Sequence, residues 1–195
     1  MLRPSRWKFA GAFLLLAGIG FLYPAAAKAD LVRSGKARQK PDESQLSHEL
    51  RHQLQLLPYY SVFDYIAFTL DGGKVTLTGH VLRPTLRADA EETVKSIEGV
   101  TIVSNSIEVL PRSATDDDLR RAVYRAIYED SVLQRYATSD LPAIHIIVNA
   151  GSVALEGVVE NENEKHLAAL RAAGVPGVAS VHNDLAIRTK SGPAN

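Results

Sequence analysis

The chain contains no cysteine among its 195 residues. That excludes a disulfide, and it excludes the lipid-bearing N-terminal cysteine of a bacterial lipoprotein. An excess of either charge is missing as well, with 22 Lys and Arg against 22 Asp and Glu. No apolar run reaches the roughly 20 residues of a membrane span, and the longest, Phe9–Tyr23, is about 15. No glycine-rich phosphate loop appears, and no Ser-His-Asp or Cys-His nucleophile pattern can be assembled. His80, His145, His166 and His182 show no metal-ligand spacing, and the carboxylates are scattered. Neither catalytic residues nor a cofactor is therefore expected.

Around the short apolar run, however, there is a pattern. Arg3, Arg6 and Lys8 precede it, Pro24 breaks it, and Ala27-Lys28-Ala29 supplies small residues at its end. This is the layout of a secretory signal peptide over residues 1–29, cleaved near Ala29, with an uncleaved anchor as the alternative. A periplasmic or secreted product is expected. Removing residues 1–29 takes away four basic groups and no acidic one, leaving 18 basic against 22 acidic residues and a net charge near −4. A mildly acidic product lacks the basic footprint of a general nucleic-acid binder, so no nucleic-acid partner is expected. Attraction to an anionic lipid surface would have to come from a local patch.

The most informative positive feature is an internal repeat. Ile66–Val109 returns at Ile144–Ile187 with an offset of about 78 residues. Gly73, Val75, Leu77, Gly79, Val81, Ala90, Gly99, Val103 and Asn105 recur as Gly151, Val153, Leu155, Gly157, Val159, Ala168, Gly177, Val181 and Asn183. These are backbone and core residue types, not reactive ones. The repeat specifies a small fold used twice, and function belongs to the surfaces of the two copies.

Each copy opens with apolar residues at helical spacing, Leu46, Leu50, Leu54 and Leu57 in the first and Leu119, Val123 and Ile127 in the second. Asp42 and Thr115 are the expected N-caps. A strand with alternating Ile66, Phe68 and Leu70 then leads through Asp71-Gly72-Gly73-Lys74 into Val75, Leu77 and Val81, which reads as a hairpin with one buried face. A second helix carries Leu86, Ala90, Val94 and Ile97, with Leu167, Ala168, Ala172 and Val175 in the second copy. A final strand covers Val103–Val109, or Val181–Ile187. The fold class is α+β: two αββαβ domains, each a three-stranded mixed sheet with two helices on one face. The first domain is placed at 44–110 and the second at 115–189, after a disordered leader at 30–43 and before a flexible tail at 190–195. The connection Leu110–Ala114 is too short to let the domains tumble freely, so they are expected to pack on each other.

The stretch GGKVTLTGHV with its closing GVTIVSNSIEV, echoed by GSVALEGVV and GVASVHNDLAI, resembles the BON (bacterial OsmY and nodulation) domain family in tandem. The resemblance covers nearly all the mature chain. It implies the αββαβ fold, a periplasmic setting, no catalytic residues, and binding of phospholipid or of membrane-associated proteins, with links to envelope integrity and osmotic stress.

Three places stand out as candidate sites. On the first helix of the second copy, Arg121, Tyr124, Arg125 and Tyr128 fall at spacings of three and four on a face other than the apolar one. Two guanidiniums can grip phosphate oxygens while two tyrosines sit at an interface, which suits anionic phospholipid headgroups. The alternative is an ordinary charged helix face, its field weakened by Asp116–Asp118. A protein-interaction adaptor in the periplasm is the alternative function. His48-Glu49-Leu50-Arg51-His52 matches the H-E-x-x-H zincin motif. His48 and His52 fall opposite the leucine stripe, on the solvent side, so no metal site is assigned. Lastly, the loop Leu57–Phe63 is unusually aromatic and is expected to pack under its own helix or into the seam between the copies. Near the equivalent place the second copy carries about five more residues, including Arg135-Tyr136 and Leu141-Pro142.

Overall fold

A computed structural model of the chain describes residues 42–137 and 143–189. The expected signal peptide, the leader up to residue 41, the tail at 190–195 and Leu141-Pro142 lie outside the described residues. The first repeat runs α1 (Glu43–Gln55), β1 (Tyr65–Asp71), β2 (Lys74–Val81), α2 (Pro84–Ser96), β3 (Ile102–Asn105) and β4 (Glu108–Val109). The second runs α3 (Ala114–Tyr128), a 3-10 turn at Leu133–Ala137, β5 (Ile144–Asn149), β6 (Ser152–Val159), α4 (Glu162–Ala173), β7 (Ser180–Asn183) and β8 (Ala186–Ile187). The order is αββαβ twice, with the last strand broken in two.

In each sheet the middle strand is the second one. β1 lies antiparallel to β2, and β3 and β4 both run parallel to β2 on its other side. β5, β6, β7 and β8 repeat this arrangement. A single register carries through both halves of the broken strand: Leu77 faces Asn105, and Val81 faces Val109. The break explains the recurring asparagine. Asn105 accepts the Ile107 N–H through its side-chain oxygen and donates to the Arg87 carbonyl of α2, and Asn183 likewise donates to the Lys165 carbonyl of α4. In both repeats the amide ties the break to the helix above, and in the first it also satisfies a backbone N–H at the break.

The recurring glycines have equally specific reasons. Both loop residues of each two-residue hairpin have positive φ, 55° and 91° at Gly72-Gly73 and 49° and 79° at Ala150-Gly151, as a type I′ turn requires. Gly79 and Gly157, at φ 118° and 120°, face the start of the preceding strand so closely that a Cβ would lie 2.1 Å from the Tyr65 carbonyl oxygen and 2.2 Å from that of Ala143. No other residue type fits there.

Each repeat has its own core on the helix side of its sheet. In the first, Leu46, Leu50 and Leu54 of α1 meet Val75, Leu77 and Val81 of β2 and Leu86, Ala90 and Val94 of α2. In the second, Leu119, Val123 and Ile127 meet Val153, Leu155, Val159, Ala168 and Ala172. Each such fully buried branched side chain contributes about 1.5–3 kcal/mol relative to exposure, so two cores of this size can hold two small repeats.

The expected caps need correction. Asp42 stands at the N-cap of α1, but its carboxylate accepts from the Ser44 hydroxyl and makes no capping bond to the backbone. On α3 the cap is Ser113, whose hydroxyl accepts the Asp116 N–H, and Thr115 lies inside the helix. The helix begins two residues earlier than a cap at Thr115 would place it, because Ser113, in extended backbone, is placed to receive that N–H.

The two repeats pack on each other along β5. The Ile146 N–H donates to the Val62 carbonyl at 2.8 Å, so the segment before β1 lies along the edge of the second sheet. Val62 and Phe63 pack against the second core. The end of the aromatic loop therefore fills the seam between the copies, while Leu57 and Tyr60 pack against the first core. Ser61 donates to Asp64 through both its N–H and its hydroxyl, and the buried Asp64 also accepts the Leu82 N–H, which fixes the loop before it docks.

Candidate functional site

The first turn of α3 is anchored to the hairpin beside it. The buried Asp116 carboxylate accepts both the Ala150 and the Gly151 N–H at 3.0 Å, in the β5–β6 turn. In the first repeat Glu43 does the same for the Gly72 N–H. One acid at each helix start thus satisfies turn amides while complementing the helix dipole. Next along α3, Arg120 is 2% exposed, donates to the Val148 carbonyl and pairs with Asp117. The second repeat's first helix is therefore pinned at its N-terminal end, and its outer residues are displayed from a fixed base.

The four residues picked out by helical spacing do not share one surface. Arg121 is exposed and pairs with the exposed Asp118, one turn earlier. Arg125 is exposed and makes no ion pair among the described residues. Tyr124 is 37% exposed, and its ring lies 4.8 Å from that of Tyr128 and edge-on to Phe63 at 6.1 Å. Tyr128 is a correction: it is 6% exposed, its hydroxyl donates to the Ile144 carbonyl, and burial holds its phenol above the usual range. It belongs to the core. The displayed strip is thus Arg121, Tyr124 and Arg125, with the Tyr124 ring held from behind by Tyr128 and from the side by the first repeat's Phe63.

Beneath the seam lie groups that sequence reasoning gave no role, His145, Tyr65 and Glu156. His145, on the face of β5 away from the second core, is 7% exposed and lies 5.5 Å from each of the Tyr60 and Tyr65 rings of the first repeat. Glu156 stands opposite His145 in register on β6, and its carboxyl is raised by burial and then by the nearby Asp184. Burial also raises the phenols of Tyr60 and Tyr65. The two adjacent tyrosines, Tyr59 and Tyr60, were the available signal, since a pair of aromatics in a short connection requires burial for at least one.

The expected insertion in the second copy forms a separate knot. Tyr136 donates its hydroxyl to the buried Glu164 and accepts the Glu160 N–H, and Arg135 pairs with Glu164 and also donates to the Tyr136 hydroxyl. Asp130 accepts the Val132 and Leu133 N–H groups and the Arg171 guanidinium of α4. These residues fasten α4 to the segment after α3. On α1, His48, Glu49 and His52 are all exposed, and Glu49 accepts from Gln53. Among the described residues no group of three side chains could hold a metal ion. None of their helices is long and apolar enough to cross a membrane.

A repeated αββαβ unit with surface strips and no reactive constellation in the described residues defines a tandem module of one small domain. The BON domain profile matches residues 42–111 and again 115–189, and the chain belongs to the BON domain family. It is 30% identical over 123 residues to the osmotically-inducible protein Y of Escherichia coli strain K12, a match spanning 62% of this chain and 60% of that protein. The chain thus covers less than two thirds of that relative's length. Among solved structures it resembles CdsD, a structural protein of the type III secretion system of Chlamydia trachomatis, at 12% identity and a TM-score of 0.30, covering 73% of this chain and 92% of that one. The C-terminal domain of CdsD matches at 13% identity and a TM-score of 0.27, over 76% of this chain and 100% of the other.

Proposed function

We propose that this protein is a non-enzymatic, exported module of the cell envelope that contacts anionic phospholipid through the outer strip of α3 and supports tolerance of osmotic stress. The stress role rests on the likeness to the osmotically-inducible protein, and the export on the basic, apolar, small-residue layout of residues 1–29. The observation that carries the lipid reading is the pairing of Arg125, a cation with no ion-pair partner among the described residues, with Tyr124, a tyrosine whose ring is braced on two sides. A braced ring loses little freedom on binding, and an unpaired guanidinium offers its full donor set to phosphate oxygens. Arg121 must exchange Asp118 for the lipid and contributes less.

The test is co-sedimentation of residues 30–195 with vesicles of anionic and of zwitterionic lipid across a salt series. Binding to the anionic vesicles is expected to weaken with salt and to fall at least about tenfold in the double variant Arg121→Glu plus Arg125→Glu, since exposed charges near an anionic surface contribute about 1 kcal/mol each. Unchanged binding by the double variant removes the α3 strip from the proposal. Failure of the wild type to bind either vesicle redirects the search to an envelope protein as partner.

A further inference from the structure

The adjacent tyrosines of the seam loop part company in space. Tyr60 turns inward against His145, whereas Tyr59 is 70% exposed. What separates them is the backbone at Tyr59, whose φ is +67°. An L residue with a bulky side chain takes this conformation at a cost, and glycine or asparagine would relieve it. A position that favours glycine but carries an exposed aromatic ring retains that ring for its side chain. Leu56, three residues earlier, is 60% exposed. Over the Tyr59 ring lies the Arg83 guanidinium, 4.5 Å from the centroid, which makes no ion pair among the described residues.

An exposed aliphatic side chain and an exposed phenol thus come from one short stretch of chain, with a cation stacked on the phenol. Aliphatic, phenolic and cationic groups are the chemistries that suit acyl chain, interfacial layer and phosphate. Phe63, four residues beyond Tyr59, touches Tyr124 of the α3 strip, so the same loop reaches the lipid surface already proposed. The carboxylates of Asp89 and Glu92 line a shallow groove beside Pro58 and work against an anionic partner, which makes Arg83 the necessary counterweight.

We infer that Leu56, Tyr59 and Arg83 of the first repeat are a second contact with the anionic bilayer surface, so that both repeats touch the membrane. The inference rests on the lipid reading of the α3 strip. Its test uses the same vesicles with Tyr59→Asn and Arg83→Glu in residues 30–195. Tyr59→Asn relieves the backbone and removes the ring, so the melting temperature is expected to hold or rise while affinity for anionic vesicles falls about tenfold, the worth of one buried aromatic side chain. Arg83→Glu is expected to weaken binding and to flatten its salt dependence. If both variants bind as the wild type does while the α3 double variant does not, the second contact is overturned and the α3 reading stands. Lost binding with a lowered melting temperature in Tyr59→Asn overturns it too, because the ring would then be support for the fold. A wild type that binds no vesicle overturns both.

Discussion

Single residues in this protein carry backbone duties that the repeat makes visible. The two hairpin turns are the same turn, yet the first uses Gly-Gly and the second Ala150-Gly151, with Ala150 at φ 49°. Ala150→Gly is expected to stabilise the protein by up to about 1 kcal/mol, because glycine takes this conformation without the left-handed penalty. Asp116→Ala should do the reverse, at about 2 kcal/mol, by stranding the two turn N–H groups that Asp116 satisfies. Thermal denaturation of the two variants checks the pair, and a destabilised Ala150→Gly would show that the turn is not the strained point. At this scale much was legible from the sequence. Gly73 and Gly79 recur because of their left-handed backbone geometry, and Asn105 because its side chain serves the backbone at the strand break. Tyr128 was not legible: helical spacing registers one apolar stripe, whereas α3 is covered by its sheet, by α4 and by the loop of the other repeat, which widens its buried face beyond that stripe. Arg120 escaped for the same reason, as a charged residue whose acceptor, the Val148 carbonyl, lies 28 residues away.

Among the elements, the segment that follows α3 is joined to both ends of α4 by buried carboxylates, Asp130 to Arg171 near its end and Glu164 near its start to Arg135 and Tyr136, and this sets a pH dependence. The Val132 N–H, then Arg171 and the Leu133 N–H, hold the Asp130 carboxyl below its ordinary range against the opposing effect of burial. Burial pushes Glu164 upward, but hydrogen bonds from Tyr136, the Glu160 N–H and Arg135 together leave it lowered. A carboxyl depressed in the folded state stabilises that state above its unfolded pKa, roughly 4, and the contribution is lost as pH falls through the folded pKa. Stability should therefore drop on acidification from pH 5 toward 3, about the ordinary carboxylate range and below. Asp130→Asn and Glu164→Gln should each lower the melting temperature at pH 7 and make the acid limb shallower. Equal slopes in variant and wild type would assign the acid sensitivity elsewhere. The helices and hairpins themselves were readable in advance, since their periods of 3.6 and 2 are written in the apolar residues. The break in each last strand was not, because Ile107 and Leu185 continue the apolar pattern and only the partners of Asn105 and Asn183 reveal the interruption.

For the molecule as a whole, the seam decides whether there are two domains or one cooperative body. β5 is buried on both faces along Ile144–Val148, whereas β1, its counterpart, is mostly half-exposed. The difference comes from the first repeat, whose Val62 carbonyl, Phe63 and tyrosines lie on β5. A single unfolding transition is expected for residues 30–195, with calorimetric and van't Hoff enthalpies in agreement. Phe63→Ser should cost about 2 kcal/mol, somewhat less than truncation of a fully buried aromatic, and should split the transition by melting the second repeat first. Two transitions in the wild type would mean that the seam does not couple the copies. That the aromatic loop would seek cover was legible. Its site was not, because no local pattern states which edge of which sheet receives it.

A duplicated gene segment begins as two interchangeable halves, free to be reshuffled, multiplied or lost one at a time. Once the loop of the first copy became the wall of the second, that freedom ended. Ser61 and Asp64, which shape the loop, now serve the neighbour's fold as well as their own. Reversing the order of the copies would leave the edge of β5 bare and give the loop nothing to close, so the tandem is inherited as a unit with a fixed direction.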